Sequence, residues 1–272
     1  MKKAFSTLAC QELGYKEVAD FALQAEINAF EVRLHKGNRF FDLLLEEVPE
    51  AMAYLESRGI VITDLATGVM ICDYNKSAIE DGKHCVDLAV MTKCKGIRVF
   101  VGDFVKRFSE KAPDNYVGIL KALKELCAYA EKRDVEIWIE THNAFSEGRI
   151  LAQLIKDVAY DNLKIIWDVM HPYEFGETPK ETIDYLGDKI VHIHIKDGVR
   201  YEDPDLILCK CTKLGEGTVP VAEIVSLLKE AGYDGYYSLE WESAWREEIR
   251  NTFKSLPELL KHFNDYMETF DT

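Results

Sequence analysis

The chain has 272 residues, 47% of them hydrophobic, and a formal net charge of −15 at neutral pH. That length and composition suit one compact domain over residues 1–272, and the excess of acid repels a phosphate backbone, which excludes nucleic acid as a partner. No apolar run approaches the ~20 residues a membrane-spanning helix needs, so no membrane partner is expected either.

The start, MKKAFSTLAC, has the lysines and cysteine of a lipoprotein signal, but its apolar stretch falls short of the roughly 7 to 15 residues of a signal core and reads as a first strand. The seven cysteines, Cys10, Cys72, Cys85, Cys94, Cys127, Cys209 and Cys211, are odd in number and form no CxxC. Reduced thiols in a cytoplasmic protein are therefore expected.

In chain order, the first strand is KAFSTL, and the segment from Tyr15 sets Val18, Phe21, Ala22 and Ala25 on one face of a helix. INAFEVRL, GIVITDL and GIRVFVG follow as strands, and then a helical stripe of Ile119, Leu123 and Leu126. VEIWIETH is the fifth strand, followed by a helix with Leu151, Leu154, Ile155 and Val158 in line. LKIIWDV and KIVHIHIKD are the sixth and seventh, Val221, Ile224, Val225 and Leu228 mark a helix after Pro220, and GYYSLEWE is the eighth. Strands that alternate with helices predict a parallel α/β fold, and no Pro, Gly or Ser-rich linker divides it. An open doubly wound sheet would carry a GxGxxG turn after the first strand, which is absent. The expected fold is a single-domain (β/α)8 TIM barrel, whose chemistry sits at the carboxyl ends of the strands.

Four consecutive strands end in a side chain able to hold a metal: Glu140, Asp168, His194 and Glu240. Alternation puts Trp138, Glu140 and His142 on one face of the fifth strand, and His192, His194 and Lys196 on one face of the seventh. Three carboxylates and an imidazole form an oxygen-dominated set suited to one divalent ion, Mn²⁺ or Mg²⁺ first, with Zn²⁺ and Co²⁺ as alternatives. Carboxylates crowded at one barrel mouth repel one another, and a divalent cation is the simplest compensation.

Other polar residues have more than one reading. Glu31, Arg33 and His35 alternate with apolar neighbours and point into the barrel or its mouth, and Arg98 is expected to pair with one of these acids or with Glu140. His142 is expected beside the metal or the substrate. Glu216 lies between two glycines on a loop that borders the site and receives no role. His84 and His262 sit in polar helical surroundings and are expected to be solvated.

The segments ETHN, WDVMHPY, HIHIKDG and LGEGTVPVAEIVSLLKEAGYDGYYSLEWE resemble those of the xylose isomerase-like barrel superfamily of sugar and sugar-phosphate isomerases and epimerases. The resemblance implies Glu140, Asp168, His194 and Glu240 as ligands, and selects His194 over His192 because the metal histidine precedes a small hydrophobic residue and Lys-Asp. It further implies that His171, from the Asp-x-x-His pattern beginning at Asp168, and Arg200, six residues beyond the metal histidine, contact substrate. The activity implied is isomerisation or epimerisation of a ketose or related sugar through an ene-diolate, with one of Glu140 and Glu240 removing a proton and the other returning it. Trp138 and Phe145 are candidates for an apolar wall against the sugar, with core packing an equal expectation for Trp138.

A metal-dependent dehydratase of an inosose or dehydroshikimate type substrate is the alternative on the same barrel. A DNA repair endonuclease would supply a histidine where strand 4 ends in VFVGDF, and an inert sugar-binding barrel would lack the acid pair. The partner expected is a small sugar-like molecule, with homo-oligomerisation left open.

Overall fold

Runs rich in β-branched and aromatic residues form the barrel strands: β1 (Lys2–Ser6), β2 (Ala29–Arg33), β3 (Val61–Ile71), β4 (Gly96–Val101), β5 (Glu136–Glu140), β6 (Leu163–Asp168), β7 (Ile190–Ile195) and β10 (Tyr236–Leu239). Between β7 and β10 lie two short strands, β8 (Gly198–Arg200) and β9 (Cys209–Cys211), paired antiparallel. The barrel strands are parallel and close in the order β1-β10-β7-β6-β5-β4-β3-β2, so the sheet has no free edge. The structure, a computed structural model, describes residues 1–35, 46–103, 115–202 and 209–271.

Amphipathic helices cover the outside: α1 (Tyr15–Gln24), α2 (Val48–Ser57), α3 (Lys76–Met91), α4 (Tyr116–Glu131), α5 (Gly148–Val158), α6 (Met170–Glu174), α7 (Pro179–Leu186), α8 (Val221–Glu230) and α9 (Leu256–Glu268). The stripes expected from spacing face the sheet: Val221, Ile224, Val225 and Leu228 of α8 and Leu151, Leu154 and Val158 of α5 are all buried. None of the described helices is long and apolar enough to cross a membrane.

Three departures from the expected strands have local causes. The first strand stops at Ser6, where a 3-10 turn over Thr7–Cys10 begins and the Ser6 hydroxyl accepts from Leu8 N–H. The third continues past Leu65 to Ile71, because the pairing with β4 shifts register between Ala66 and Met70. Thr67 fills that irregularity, its hydroxyl donating to the Arg98 carbonyl at 2.6 Å and accepting from Val69 N–H at 3.0 Å. Third, the hairpin of β8 and β9 occupies what spacing alone marks as a loop.

At the other end of the interior, Trp138 stacks on His192 with ring centroids 5.7 Å apart and donates its indole N–H to Glu136 at 2.8 Å. Gly96 makes room for it, since a Cβ there would lie 2.4 Å from the indole. Trp138 is thus a core residue, and Phe145, fully buried, packs against Gly102.

Candidate active site

Glu140 and Asp168 are the last residues of β5 and β6, His194 is the fifth residue of β7, and Glu240 directly follows β10. These four strands are neighbours in the barrel, and both Asp168 and Ser238 are in register with His194. One ligand atom from each of Glu140, Asp168, His194 and Glu240 falls within a sphere where all lie within 4.8 Å of one another, and all four residues are buried. His194 Nδ1 is 3.2 Å from Glu240 Oε2, 3.3 Å from Glu140 Oε1 and 4.0 Å from Asp168 Oδ2. Ligands that share one small divalent ion lie about 3 to 4 Å apart, so the set has the spacing such an ion requires. Three carboxylates and one imidazole nitrogen, all buried and facing one another, make an oxygen-rich donor set of the kind that holds a hard divalent ion. The four residues therefore fit a divalent metal.

Two cations of the chain already stand among these acids. Arg98 Nη1 is 2.9 Å from Glu140 Oε2 and 3.3 Å from Glu240 Oε1, and its Nη2 donates to the Thr67 carbonyl. Lys196 Nζ is 2.5 Å from Glu240 Oε2 and 2.7 Å from Asp168 Oδ2. Burial pushes the Glu140 carboxyl up, but Arg98 and His194 together outweigh it and bring the group down to about 2. Glu240 is held well below the usual carboxylate range in the same way, burial being overcome by Lys196 and His194. Both acids are thus anionic at neutral pH.

Behind the ligands, Glu31 of β2 reaches across the barrel to His194, with Oε2 at 2.5 Å from Nε2. The bond places a proton on Nε2 and turns Nδ1 toward the three carboxylates, the arrangement that orients a metal-binding imidazole. Glu31, His192 and His194 also converge closely, but a separation of 2.5 Å between Glu31 and His194 is shorter than the ~3 Å that two ligands of one ion need. That cluster is a hydrogen-bonded support and not a second metal centre. Burial and the neighbouring Glu31 carboxylate push Asp64, beside His192, up to about 6.

The site opens into a cavity of about 380 Å³. Of the residues expected to meet substrate, His142 and His171 line it, with ring centroids 4.4 Å apart. His142 Nδ1 lies 2.5 Å from Asn143 Oδ1, so the proton sits on Nδ1 and Nε2 is the acceptor nitrogen. Burial, and then His171, lower His142 to about 4, which keeps it neutral. Burial works against a charge on His171 as well, yet Asp168 and Glu174 raise it to about 9.

Arg200 is not brought to the cavity. It is the exposed last residue of β8, stacked over Tyr173 at 4.3 Å and bonded to the Tyr173 carbonyl. The hairpin carries it there, pinned where Cys209 N–H donates to Glu174. Trp138 and Phe145 do not form the apolar wall, which is instead made by Leu8, Phe100, Phe175 and Trp245. Glu174, Glu242 and Arg246 also line the cavity; sequence reasoning passed over them because Glu174 ends a helix of one turn and the other two stand on a loop, with no repeating pattern in either place. Glu216 is exposed, as is His84, whereas His262 is half-buried against Phe253, centroids 5.2 Å apart, and not solvated as expected.

The Lys-Asp-Gly and Gly-Glu-Gly segments prove to be one device. The Asp197 carboxylate accepts from the N–H groups of Gly198, Gly215, Gly217 and Val219 at 2.8 to 3.2 Å, which folds the loop against the end of β7. Gly217 has no room for a side chain, since a Cβ would stand 2.0 Å from Asp197 Oδ1.

The barrel is closed and eight-stranded, with four metal-capable side chains at its strand ends, and residues 19–262 match the family described as xylose isomerase-like TIM barrel. The chain belongs to that family. Fructoselysine 3-epimerase of Escherichia coli O157:H7 is 29% identical over 133 residues, 47% of this chain and 46% of that protein. The chain thus spans about half the length of that curated relative. A 3-dehydroshikimate dehydratase of Bacillus anthracis is 24% identical over 260 residues, 89% of this chain and 91% of that protein. Among solved structures, the IOLI protein with a bound zinc atom superposes with a TM-score of 0.80 at 17% identity, over 100% of this chain and 97% of that one. At that identity it shows a shared fold.

Proposed function

We propose that this family member moves a proton at a carbon beside the carbonyl of a polyhydroxylated, sugar-like substrate, and so isomerises or epimerises it. The observation that carries this reading is the convergence of Glu140, Asp168, His194 and Glu240, of which Glu140 and Glu240 line one cavity. A divalent ion held by these four supplies a Lewis acid that acidifies the C–H bond next to the carbonyl. Glu140 and Glu240, both anionic and both lining the cavity, remove and return the proton. His171, cationic between Asp168 and Glu174, offsets negative charge developing on a substrate oxygen. Phe100, Phe175 and Trp245 exclude water and pack against the carbon face of the ring. Mn²⁺ or Mg²⁺ suits the oxygen-rich set, with Zn²⁺ and Co²⁺ as alternatives. Seven thiols outside any disulfide support a reducing, cytoplasmic setting.

A second reading, dehydration, has its own support: the alignment with a dehydratase along nearly the whole chain, and the adjoining His142 and His171 rings, which provide an acid for a departing hydroxyl. Chelated protein reloaded with Mn²⁺ and given ketoses and inososes in D₂O separates the two. An isomer or epimer carrying deuterium at the reacting carbon is expected, whereas a new conjugated carbonyl establishes the lyase. Glu240→Gln should lower turnover by about 10²- to 10⁴-fold, Glu216→Gln should leave it unchanged, and full activity in chelated protein would reject both readings.

A further inference from the structure

The walls of the cavity differ in charge. On the metal side, every cation has an acid beside it: Arg98 lies between Glu140 and Glu240, and Arg246 Nε is 3.2 Å from Glu242. Arg33, at the end of β2 on the opposite side of the barrel mouth, has none. Its Nη1 donates to the Ala66 carbonyl at 2.8 Å, and no carboxylate lies within ion-pairing distance among the described residues. Among the described residues the other guanidinium donors meet no acceptor. The group is well placed to stay put, because Arg33 N–H is itself anchored to the Thr7 hydroxyl at 2.9 Å.

A half-buried guanidinium with no carboxylate in contact is unfavourable, and Glu240, Glu140 and Glu31 attract Arg33 only from beyond ion-pairing distance. Burial, and then the nearby Arg98 guanidinium, bring Arg33 down to about 10. In a chain with a net charge of −15, 48 acidic residues offered candidates for neutralising it, yet the position faces the cavity, where a ligand would do so. The guanidinium fork matches planar carboxylate and phosphate oxygens. Glu140, Glu240 and Glu242 line the same cavity and would repel such a group, which orients an acidic molecule with its anion toward β2 and its reacting carbons toward the metal ligands.

We propose that the substrate is an acid, with a carboxylate or phosphate remote from the reacting carbons that is bound by Arg33. This deepens the reading of the site as one for proton transfer on a sugar-like molecule and rests on it. The test is calorimetric binding of two matched pairs to the full chain, with and without Mn²⁺: D-fructose against D-fructose 6-phosphate, and methyl shikimate against shikimate. In at least one pair the acid should bind tenfold or more tightly than its neutral twin, and the pair that shows it distinguishes phosphate from carboxylate. Arg33→Gln should erase that preference while neutral affinity stays within twofold, and Arg33→Lys should keep part of it. Equal binding of acid and neutral twins in both pairs, a preference that survives Arg33→Gln, or no binding of either acid would overturn the inference. Titration of the same samples with Mn²⁺ reads the four-ligand site separately, so failure of the metal reading and failure of the acid site are told apart.

Discussion

Which nitrogen of His194 faces the carboxylates is decided on the far side of the barrel, where Glu31 accepts the Nε2–H hydrogen bond at 2.5 Å. Glu31→Gln keeps the shape but weakens the acceptor and permits the other tautomer, so Mn²⁺ affinity should fall about 10- to 100-fold. Calorimetric titration measures this, and an unchanged affinity would mean that β7 alone orients the ring. At this scale the sequence showed what pattern can show. Glu140, Asp168, His194 and Glu240 each close a separate strand, and alternation gives each strand end a side. Arg200 shows the limit, since its spacing from His194 suits a substrate contact while a hairpin of three-residue strands carries it outward. Strands that short leave no periodicity to detect. Arg33 was visible as an inward residue of strand 2, but the lack of an ion-pair partner among the described residues is a fact of three dimensions.

Among the elements, the loop between β9 and α8 depends on a single carboxylate. Asp197 gathers four backbone N–H groups, and Gly217 is required because its missing side chain is where that carboxylate sits. Gly217→Ala should lower stability by about 1 to 3 kcal/mol through overpacking, read as a shift of the urea midpoint. Gly68→Ala, where nothing lies within 4 Å of the added carbon, serves as the control and should change little. Neither the pairing of these motifs nor its reason follows from reading the chain in order, because Asp197 and Gly217 are 20 residues apart. The strands themselves were legible from apolar alternation. Their ends were less so, and the extension of β3 to Ile71 comes from a register shift with β4, which depends on a partner and not on local sequence.

For the molecule as a whole, the repeated unit of strand and helix made the closed barrel legible, because eight such units within 272 residues leave little else to build. How several buried acids coexist at its centre was legible in part: the expected pairing of Arg98 with Glu140 is present, while the place of Lys196 between two acids was not foreseen. Arg98 and Lys196 stand between them, within 2.5 to 3.3 Å of Glu140, Asp168 and Glu240. Lys196→Met should therefore widen the gap in melting temperature between chelated and Mn²⁺-loaded protein, with the loss confined mostly to the chelated form, since ligand binding adds about 4 kcal/mol at a thousandfold excess over Kd. A gap equal to that of the parent chain would show that the ammonium does not share in holding the acids. With these two side chains as internal counterions, the buried acids are already offset by the chain itself. On the proposed reading, loading the ion would be an exchange of positive charge within a finished scaffold, and protein stripped of metal is expected to stay folded and regain turnover when the ion is restored.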